Sequence, residues 1–278
     1  MDKNKFLAVR RFFLRAAHAL RFFLYAALTV LLGAEFCVCC GKKCRVLPLC
    51  ASCRKKMTQY VSFVSRCGVC GKPLISEIGV CMGCRKEQTD KPETGGAGEA
   101  AKTASLDFCF PVFSYQMWRQ ELVFLWKTRG VRLFSRFFAD ILAQALTNEL
   151  RIAEALPEGA GNYPVIVPVP PRPGKILEKG WDQVEDLCKW LEGYYCLPVM
   201  RLLKRRSAVQ QKKLDSAQRL ENARNAYYLS KRGAQKVPKR VILLDDVRTT
   251  GATLEICAKI LKHAGCREVR AVALFGLE

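Results

Sequence analysis

The apolar residues in the second half of the chain form short runs and helical spacings that alternate along the sequence. Short apolar runs bounded by polar, glycine or proline residues indicate strands, and apolar residues three or four apart indicate one face of a helix. The predicted strands are 108–113, 165–167, 241–244 and 269–275. The predicted helical faces are 134–145, 184–191 and 254–261. Strands that alternate with helices in this way predict an α/β domain built on a parallel sheet.

The rest of the chain differs in composition and divides into three parts. Residues 1–36 mix basic residues with an apolar run, and residues 37–86 hold ten of the chain's 15 cysteines. Residues 87–106 are polar and rich in glycine and alanine, which is typical of a flexible linker. We therefore predict an N-terminal helix over 1–36, a cysteine module over 37–86, a linker over 87–106 and the α/β domain over 107–278.

The N-terminal segment is predicted to form a basic amphipathic helix. No charged residue lies between Arg21 and Glu35, a gap of 13 residues, which is short for a helix that spans a membrane. Such a helix can make peripheral contact with a membrane surface or dock on the protein's own core, and the sequence does not separate these alternatives. A basic start before an apolar run also resembles a signal peptide, but the cysteine pattern favours a reducing, cytoplasmic compartment.

Eight of the cysteines form four pairs with two residues between the partners. The pairs are Cys37/Cys40, Cys50/Cys53, Cys67/Cys70 and Cys81/Cys84. This spacing lets both thiolates of a pair reach one ion, and four thiolates complete a tetrahedral zinc site. We predict a double zinc ribbon with two zinc ions, the first held by the first two pairs and the second by the last two. The sequence also allows a cross-braced pairing, and Cys39 or Cys44 could replace a ligand of the first site.

The stretch after the strand at 241–244 combines two acids with a small, hydroxyl-rich loop. Asp245 and Asp246 follow the strand. The loop that leads into the next helix consists of Thr249, Thr250, Gly251, Ala252 and Thr253. A strand, a small-residue loop and a helix start direct backbone N–H groups and the helix dipole at a phosphate, and the acids suit ribose hydroxyls or a Mg²⁺ held with them. The stretch therefore predicts a ribose-5-phosphate site, the alternative being an ordinary turn with a capping side chain.

Positive charge is concentrated in the first third of the chain. The formal net charge is +21, and residues 1–86 hold 16 of the 46 basic residues but only 3 of the 25 acidic ones. Such an excess suggests contact with nucleic acid or with an anionic membrane surface. A basic protein without such a partner is the alternative, because net charge bears on association and not on fold.

Two further basic stretches lie within the predicted α/β domain. The first follows the strand at 165–167 and offers candidates to hold a pyrophosphate: Arg172, Lys175 and Lys179. The second, over residues 197–231, has little hydrophobic periodicity and is predicted to be a mobile basic loop. Its nucleic-acid candidates are Arg205, Arg206, Lys212 and Lys213, although a solvated charged face would have the same composition.

These motifs resemble those of two known groups of proteins. Four apolar residues, two acids and Thr249-Thr250-Gly251 resemble the phosphoribosyl pyrophosphate (PRPP) motif of type I phosphoribosyltransferases. Over residues 36–275 the chain resembles the ComF family. The matches besides the cysteine pairs and the PRPP motif are Lys127 and Gly130, Pro168-Val169-Pro170, the segment 179–183, Gln210 or Gln211, Arg219 and Asn222. The segment 179–183 reads Lys-Gly-Trp-Asp-Gln where the family has Arg-Gly-Phe-Asn-Gln.

The ComF resemblance implies a phosphoribosyltransferase fold, zinc, a cytoplasmic location and the handling of incoming single-stranded DNA with a helicase partner. One function that follows is binding: a PRPP or nucleotide pocket combined with zinc ribbons and basic surface that hold single-stranded DNA during natural transformation. The alternative is an active phosphoribosyltransferase that uses PRPP with Mg²⁺ in nucleotide metabolism. No general base or acceptor pocket is visible in the sequence, so enzyme activity is left undecided.

Overall fold

The computed structural model describes residues 16, 20, 35–44, 49–63, 65–68, 71, 74, 77–89, 105–115, 122–154, 164–206 and 226–276. Most of the predicted N-terminal helix and of the predicted linker lies outside these ranges, as do Cys70, Lys212 and Lys213. Within the described ranges, no helix combines the length and the apolarity needed to cross a membrane.

The described secondary structure follows the two-part pattern of the sequence. The cysteine-rich segment contains β1 (Glu35–Phe36), β2 (Lys43–Cys44), α1 (Ala51–Phe63) and α2 (Met82–Thr89). The α/β segment begins with β3 (Phe108–Ser114), α3 (Phe124–Lys127), α4 (Leu133–Glu154), β4 (Val165–Pro168), α5 (Lys175–Lys179) and α6 (Gln183–Gly193). It continues with β5 (Leu203–Arg205), β6 (Tyr227–Leu229), α7 (Lys231–Ala234), β7 (Arg240–Arg248), α8 (Ala252–His263) and β8 (Glu268–Gly276).

Four of these strands form one parallel sheet in the order β3–β8–β7–β4. Val199 extends the sheet beyond β4 through a single parallel bridge to Ile166. Strands β7 and β8 therefore have hydrogen-bonded neighbours on both sides, which agrees with their nearly continuous apolar sequences. The parallel α/β class predicted from the sequence is confirmed.

Alternate residues of β7 enter two separate hydrophobic clusters. Ile242 and Leu244 are buried in a cluster with side chains of α4 and α6. Val241 and Leu243 are buried in the other cluster, where the apolar face of α8 covers them. Because successive side chains of a strand point to opposite faces, this division shows that helices cover both faces of the sheet. It also means that two consecutive residues at the end of β7 face different surroundings.

The aromatic residues of α4 lie in the core, as their helical spacing predicts. Phe138 is fully buried, and its ring centroid lies 5.0 Å from that of Trp126 and 5.5 Å from that of Phe275. The indole Nε1 of Trp126 donates a hydrogen bond to Ser135 Oγ at 2.9 Å, so its buried polar atom has a partner. This cluster fixes the position of α3, the element that precedes the candidate site.

The cysteine-rich segment packs directly against the sheet. Met57 of α1 is fully buried in the same cluster as Phe113 of β3. The guanidinium of Arg66 donates hydrogen bonds to the carbonyl oxygens of Val112, at 2.9 Å, and Pro111, and it lies 4.1 Å from the centre of the Phe110 ring. Strand β3 is an edge of the described sheet, where carbonyl groups need partners from outside it. The cysteine-rich segment therefore covers this edge.

The prediction of a mobile basic loop over 197–231 is wrong at both of its ends. Strands β5 and β6 pair in antiparallel fashion, with Arg205 opposite Tyr227, and α7 follows β6 directly. These strands are only three residues long, so their pattern is too short to be recognised by periodicity. Residues 207–225 lie outside the described ranges.

Candidate functional site

The first four paired cysteines come together at one point. The sulfur atoms of Cys37, Cys40, Cys50 and Cys53 all lie within 4.8 Å of one another. Zinc–sulfur bonds of about 2.3 Å in a tetrahedron require sulfur–sulfur distances of roughly 3.8 Å, and Cys40 Sγ lies 3.6 Å from Cys50 Sγ. The donor set therefore fits a tetrahedral metal ion, with the first two pairs contributing to the same site.

Local backbone structure explains how the two pairs meet. Gly41 N donates to Cys37 O at 2.8 Å, and its positive φ of +70° closes the turn that carries Cys37 and Cys40. Cys50 and Cys53 flank the start of α1, where Cys53 N donates to Cys50 Sγ at 3.4 Å. One pair thus lies on a turn and the other at a helix start.

The thiol of Cys44 lies beside the four-sulfur group and interacts with Cys37. Burial acts to raise the pKa of Cys37, but hydrogen bonds from the backbone of Cys50, Cys39 and Cys40 outweigh it and lower that pKa to about 6. Burial raises the pKa of Cys44 to about 11, and its thiol donates to Lys42 O at 3.2 Å. Cys44 is not a member of the four-sulfur group. Its sulfur atom therefore lies beside the four-sulfur group rather than within it.

A second sulfur group forms around α2. Cys67, Cys81 and Cys84 are buried, and their sulfur atoms also lie within 4.8 Å of one another. Cys81 N donates to Cys67 Sγ at 3.4 Å, which joins the two halves of this group. The fourth predicted ligand, Cys70, lies outside the described residues. Both groups are arranged so that they could hold a metal ion.

A separate cavity of about 360 Å³ opens beside the ends of β4 and β7. Strand β4 stops at Pro168, whose partner on β7 is Leu244, whereas β7 continues to Arg248 alongside β8. The sequence predicted that this strand ends at Leu244, before Asp245 and Asp246. Backbone pairing with β8 instead extends β7 through both acids to Arg248. The last residues of β7, after Leu244, consequently have no partner on β4, and the cavity lies beside them where β4 has ended.

Residues from separate parts of the sequence meet in the wall of this cavity. The acids Asp245 and Asp246 contribute, as does Thr253 from the start of α8. The remaining lining residues are Val169, Pro170, Pro171, Arg172, Lys175, Asp182, Val184, Arg205, Tyr227 and Val247. The structure thus brings together the predicted ribose acids and two of the predicted pyrophosphate residues, in a space large enough for a small phosphorylated ligand.

The two acids differ in their contacts. Asp246 Oδ2 lies 2.6 Å from the Nζ of Lys127, the last residue of α3. Asp245 Oδ1 accepts a hydrogen bond from Asp246 N at 2.8 Å. Burial, followed by the neighbouring charge of Asp246, raises the pKa of Asp245 to about 7. The pair can therefore offer one ion-paired carboxylate and one carboxyl that exchanges a proton near neutral pH.

The loop predicted to bind phosphate forms a tight start to α8. Gly251 has a φ of +81°, which a residue with a side chain adopts only with strain, and it is the N-cap of the helix. Thr250 Oγ1 accepts a hydrogen bond from Ala252 N at 3.3 Å. Thr249, Thr250 and Ala252 are exposed, and of the loop only Thr253 lines the cavity.

The predicted pyrophosphate residues lie around α5 and are already engaged with acids. Lys175 Nζ contacts Asp182 Oδ2 at 2.5 Å and Gln183 Oε1 at 2.6 Å. Arg172 forms an exposed ion pair with Glu178, and Lys179 does not line the cavity. Asp182, which replaces the Asn of the ComF pattern, also caps α6 by accepting from Glu185 N at 3.0 Å. Arg172 and Lys175 are therefore each paired with a carboxylate.

Two residues from β5 and β6 line the cavity: Tyr227, which the sequence analysis did not single out, and Arg205, to which it gave a different role. Tyr227 of β6 lines the cavity, and its hydroxyl interacts with Thr253. The guanidinium of Arg205, predicted as a nucleic-acid contact, lies 5.2 Å from the Tyr227 ring and also lines the cavity. Arg206 is exposed and stacks on Tyr228 at 4.9 Å. The two neighbouring arginines therefore lie on different surfaces, Arg205 in the cavity wall and Arg206 outside it, which follows only from the pairing of β5 with β6.

The inner strand of the parallel α/β sheet ends in an acid pair and a glycine–threonine loop, which is the arrangement expected from the resemblance to the phosphoribosyltransferase motif. No protein-family model matches the chain. It is 25% identical over 228 residues to competence protein F of Haemophilus influenzae, which covers 81% of this chain and 89% of that protein. It is 24% identical over 218 residues to competence protein ComFC of Bacillus subtilis, covering 78% of this chain and 79% of that protein. These relatives confirm the predicted resemblance to the ComF family.

Solved phosphoribosyltransferase structures overlap only part of the chain. The hypoxanthine phosphoribosyltransferase of Trypanosoma cruzi is similar with a TM-score of 0.33 and 17% identity, covering 52% of this chain and 66% of that one. An allosteric regulatory enzyme of purine biosynthesis gives a TM-score of 0.28 and 18% identity, covering 48% of this chain and 26% of that one.

Proposed function

We propose that the protein binds PRPP or a related ribose-5-phosphate ligand in the cavity beside β4 and β7. The observation that carries this proposal is the meeting of Asp245, Asp246 and Thr253 with Arg172 and Lys175 in one cavity wall. Carboxylates accept hydrogen bonds from ribose hydroxyls, and the start of α8 offers backbone N–H groups to a phosphate. The basic residues would face the pyrophosphate, on which PRPP carries Mg²⁺.

Calorimetric titration with PRPP and Mg²⁺ tests this proposal. Wild type should bind, and the double variant Asp245→Asn with Asp246→Asn should lose binding while remaining folded. Glu192→Gln is a suitable control, because this exposed acid of α6 lies beside Arg201 and does not line the cavity. Equal affinity for PRPP in wild type and the double variant would refute the proposed site.

We also propose that the protein handles single-stranded DNA in the cytoplasm during natural transformation, alongside a competence helicase, with peripheral membrane contact by residues 1–36. Two relatives named as competence proteins support this role. Exposed basic residues on the first sulfur group and α1 support contact with phosphates: Lys42, Lys43, Arg54, Lys55 and Lys56. In this proposal each of the two sulfur groups holds a zinc ion, which would supply much of the folding energy of so small a segment.

The arginines of β5 and its flank allow DNA binding to be separated from ligand binding. Arg206→Glu should weaken binding of a labelled single-stranded oligonucleotide but leave PRPP binding intact, since Arg206 does not line the cavity. Arg205→Glu should weaken PRPP binding. For wild type, the logarithm of DNA affinity should fall linearly with the logarithm of salt concentration, because counterions are released from the phosphates. A flat plot would contradict the DNA-binding role.

An active phosphoribosyltransferase is the second candidate function. The observation in its favour is that Arg172 and Lys175 line the same cavity as the acid pair, where they could stabilise charge that develops on a departing pyrophosphate. Incubation with labelled PRPP and candidate nitrogen acceptors would test it. Release of pyrophosphate that requires both the acceptor and Lys175 would support transfer, whereas binding without release would favour a ligand-binding role.

A further inference from the structure

Above the pKa of Asp245, which is about 7, the charged residues that line the cavity carry no excess of positive charge for an anionic ligand. Three of the charged lining residues are basic and three are acidic: Arg172, Lys175, Arg205, Asp182, Asp245 and Asp246. The ammonium group of Lys175 lies 2.5 Å from Asp182 Oδ2 and 2.6 Å from Gln183 Oε1. Its charge is therefore directed at residues around the start of α6 and not at the acid pair. A sugar phosphate that approaches the acid pair therefore needs another cation beside the acids.

Lys127 supplies a cation at this position. Its Nζ lies 2.6 Å from Asp246 Oδ2, and its side chain is 28% exposed while that of Asp246 is 16% exposed. Its charge also acts on Asp245 and offsets part of the rise in the pKa of that residue. The ammonium group is thus close enough to act on both acids, and it does so from beside Asp246, because Lys127 itself does not line the cavity.

The position of Lys127 is fixed by a neighbouring segment rather than by the ion pair alone. Gln183 Nε2 donates to Lys127 O at 3.4 Å. Gly130, with a φ of +69°, turns the chain after α3, and a Cβ atom there would lie 3.7 Å from Trp181 Nε1. The turn that carries Lys127 is therefore fastened to residues 181–183, which also hold Lys175.

We propose that Lys127 is the built-in cation of the ribose subsite, so that a ribose 5-phosphate binds beside Asp245 and Asp246 without a divalent metal ion. Mg²⁺ prefers ionised carboxylate oxygens and several waters, and one carboxylate oxygen of Asp246, Oδ2, already contacts an ammonium group. Lys127 is a positioning residue: it neutralises Asp246 and keeps it oriented as a hydrogen-bond acceptor. This inference rests on the proposed binding of ribose phosphates, and it leaves Mg²⁺ free to accompany the pyrophosphate of PRPP.

The test is calorimetric titration of the full-length protein with ribose 5-phosphate, in EDTA and in excess MgCl₂. Wild type should bind with the same affinity in both buffers, within about threefold. Lys127→Met should bind about tenfold or more weakly in EDTA, the effect expected for loss of a charged hydrogen-bond partner, and MgCl₂ should restore most of that loss. Lys127→Arg should keep metal-independent binding. Lys189→Met, which removes an exposed lysine from α6, should match wild type in both buffers.

The outcomes separate this inference from the proposal on which it rests. Binding by wild type that needs MgCl₂ would overturn the role of Lys127 while leaving the ribose-phosphate site intact. Weaker binding of Lys127→Met by the same factor in both buffers would show a merely structural role and would also overturn the inference. Absence of ribose 5-phosphate binding in both buffers would overturn the inference and the proposed function together. The comparison of buffers on wild type needs no variant, so it stands even if Lys127→Met fails to fold.

Discussion

Replacement of Asp245 by asparagine should stabilise the folded protein above neutral pH, although it removes a group proposed to bind ligand. Burial and the charge of Asp246 raise the pKa of Asp245 from 3.8 to about 7. A carboxyl with a raised folded-state pKa favours folding only while it is protonated. Its ionisation therefore destabilises the native state increasingly as pH rises from the unfolded pKa to the folded one, and the cost is constant above both.

The size of the effect follows from the shift. A rise of about three pKa units at 1.36 kcal/mol each corresponds to about 4 kcal/mol at most, and solvent near the cavity and sharing of charge with Asp246 reduce it to roughly 2–4 kcal/mol. An asparagine Oδ1 can still accept the hydrogen bond that Asp246 N donates to Asp245 Oδ1 at 2.8 Å. The melting temperature at pH 8 should accordingly rise by roughly 5–10 °C.

Urea denaturation of wild type and Asp245→Asn between about pH 4 and pH 8 measures this effect. The difference in the free energy of unfolding should be near zero at the acidic end, grow through the interval and level off near pH 7. Glu192→Gln, at an exposed ion pair with Arg201, should follow the wild-type profile. A stabilisation that does not change with pH, or a destabilisation at pH 8, would refute the reasoning.

Three further predictions concern the metal centres, the sheet edge and the phosphate loop. Metal analysis of protein purified without chelator should give about two zinc ions per chain, and about one for Cys67→Ser; less than about half an ion in wild type would contradict the zinc sites. Arg66→Met should lower the free energy of unfolding, measured by urea denaturation, by about 2–3 kcal/mol, because the carbonyl groups of Val112 and Pro111 lose these donors. Arg85→Met, at an exposed position, should lower the free energy of unfolding by less. Gly251→Val should abolish ribose 5-phosphate binding in calorimetry and cost about 1–3 kcal/mol of stability, since valine is strained at a φ of +81°; unchanged affinity would argue against phosphate approach at this loop.

The elements that the sequence predicts well are those in which local pattern and tertiary environment agree. The buried strand at 241–244 and the helix after Gly251 are both recognisable, because an inner parallel strand is apolar on both faces and a helix has one apolar face. The spacing of Cys37, Cys40, Cys50 and Cys53 likewise carries its own geometry, since each pair must turn sharply to meet an ion. In these cases the local pattern is sufficient to predict the element.

Features that depend on distant partners could not be predicted. The end of β7 is set by pairing with β8 and by the stop of β4 at Pro168, so no local signal places Asp245 and Asp246 inside a strand. The contact of Lys127 with Asp246 joins residues 119 positions apart. Arg66 resembles any other basic residue of the cysteine-rich segment, yet it bonds to the edge of the sheet. Each of these features arises only when separate elements pack together.

The different roles of the two acids follow from the period of a strand. Asp246 continues the face of Ile242 and Leu244, on which α3 brings Lys127 to its carboxylate. Asp245 continues the opposite face, where its charge reaches Tyr227 and Cys257 beneath the start of α8. Each of two adjacent ribose hydroxyls can donate one hydrogen bond and accept another. An ion-paired carboxylate, which accepts, beside a carboxyl that is protonated near neutral pH and can donate, can therefore serve both. Successive side chains of a strand point to opposite faces, so these two consecutive acids have different neighbours. The difference gives the single site both an ion-paired carboxylate and a protonated carboxyl.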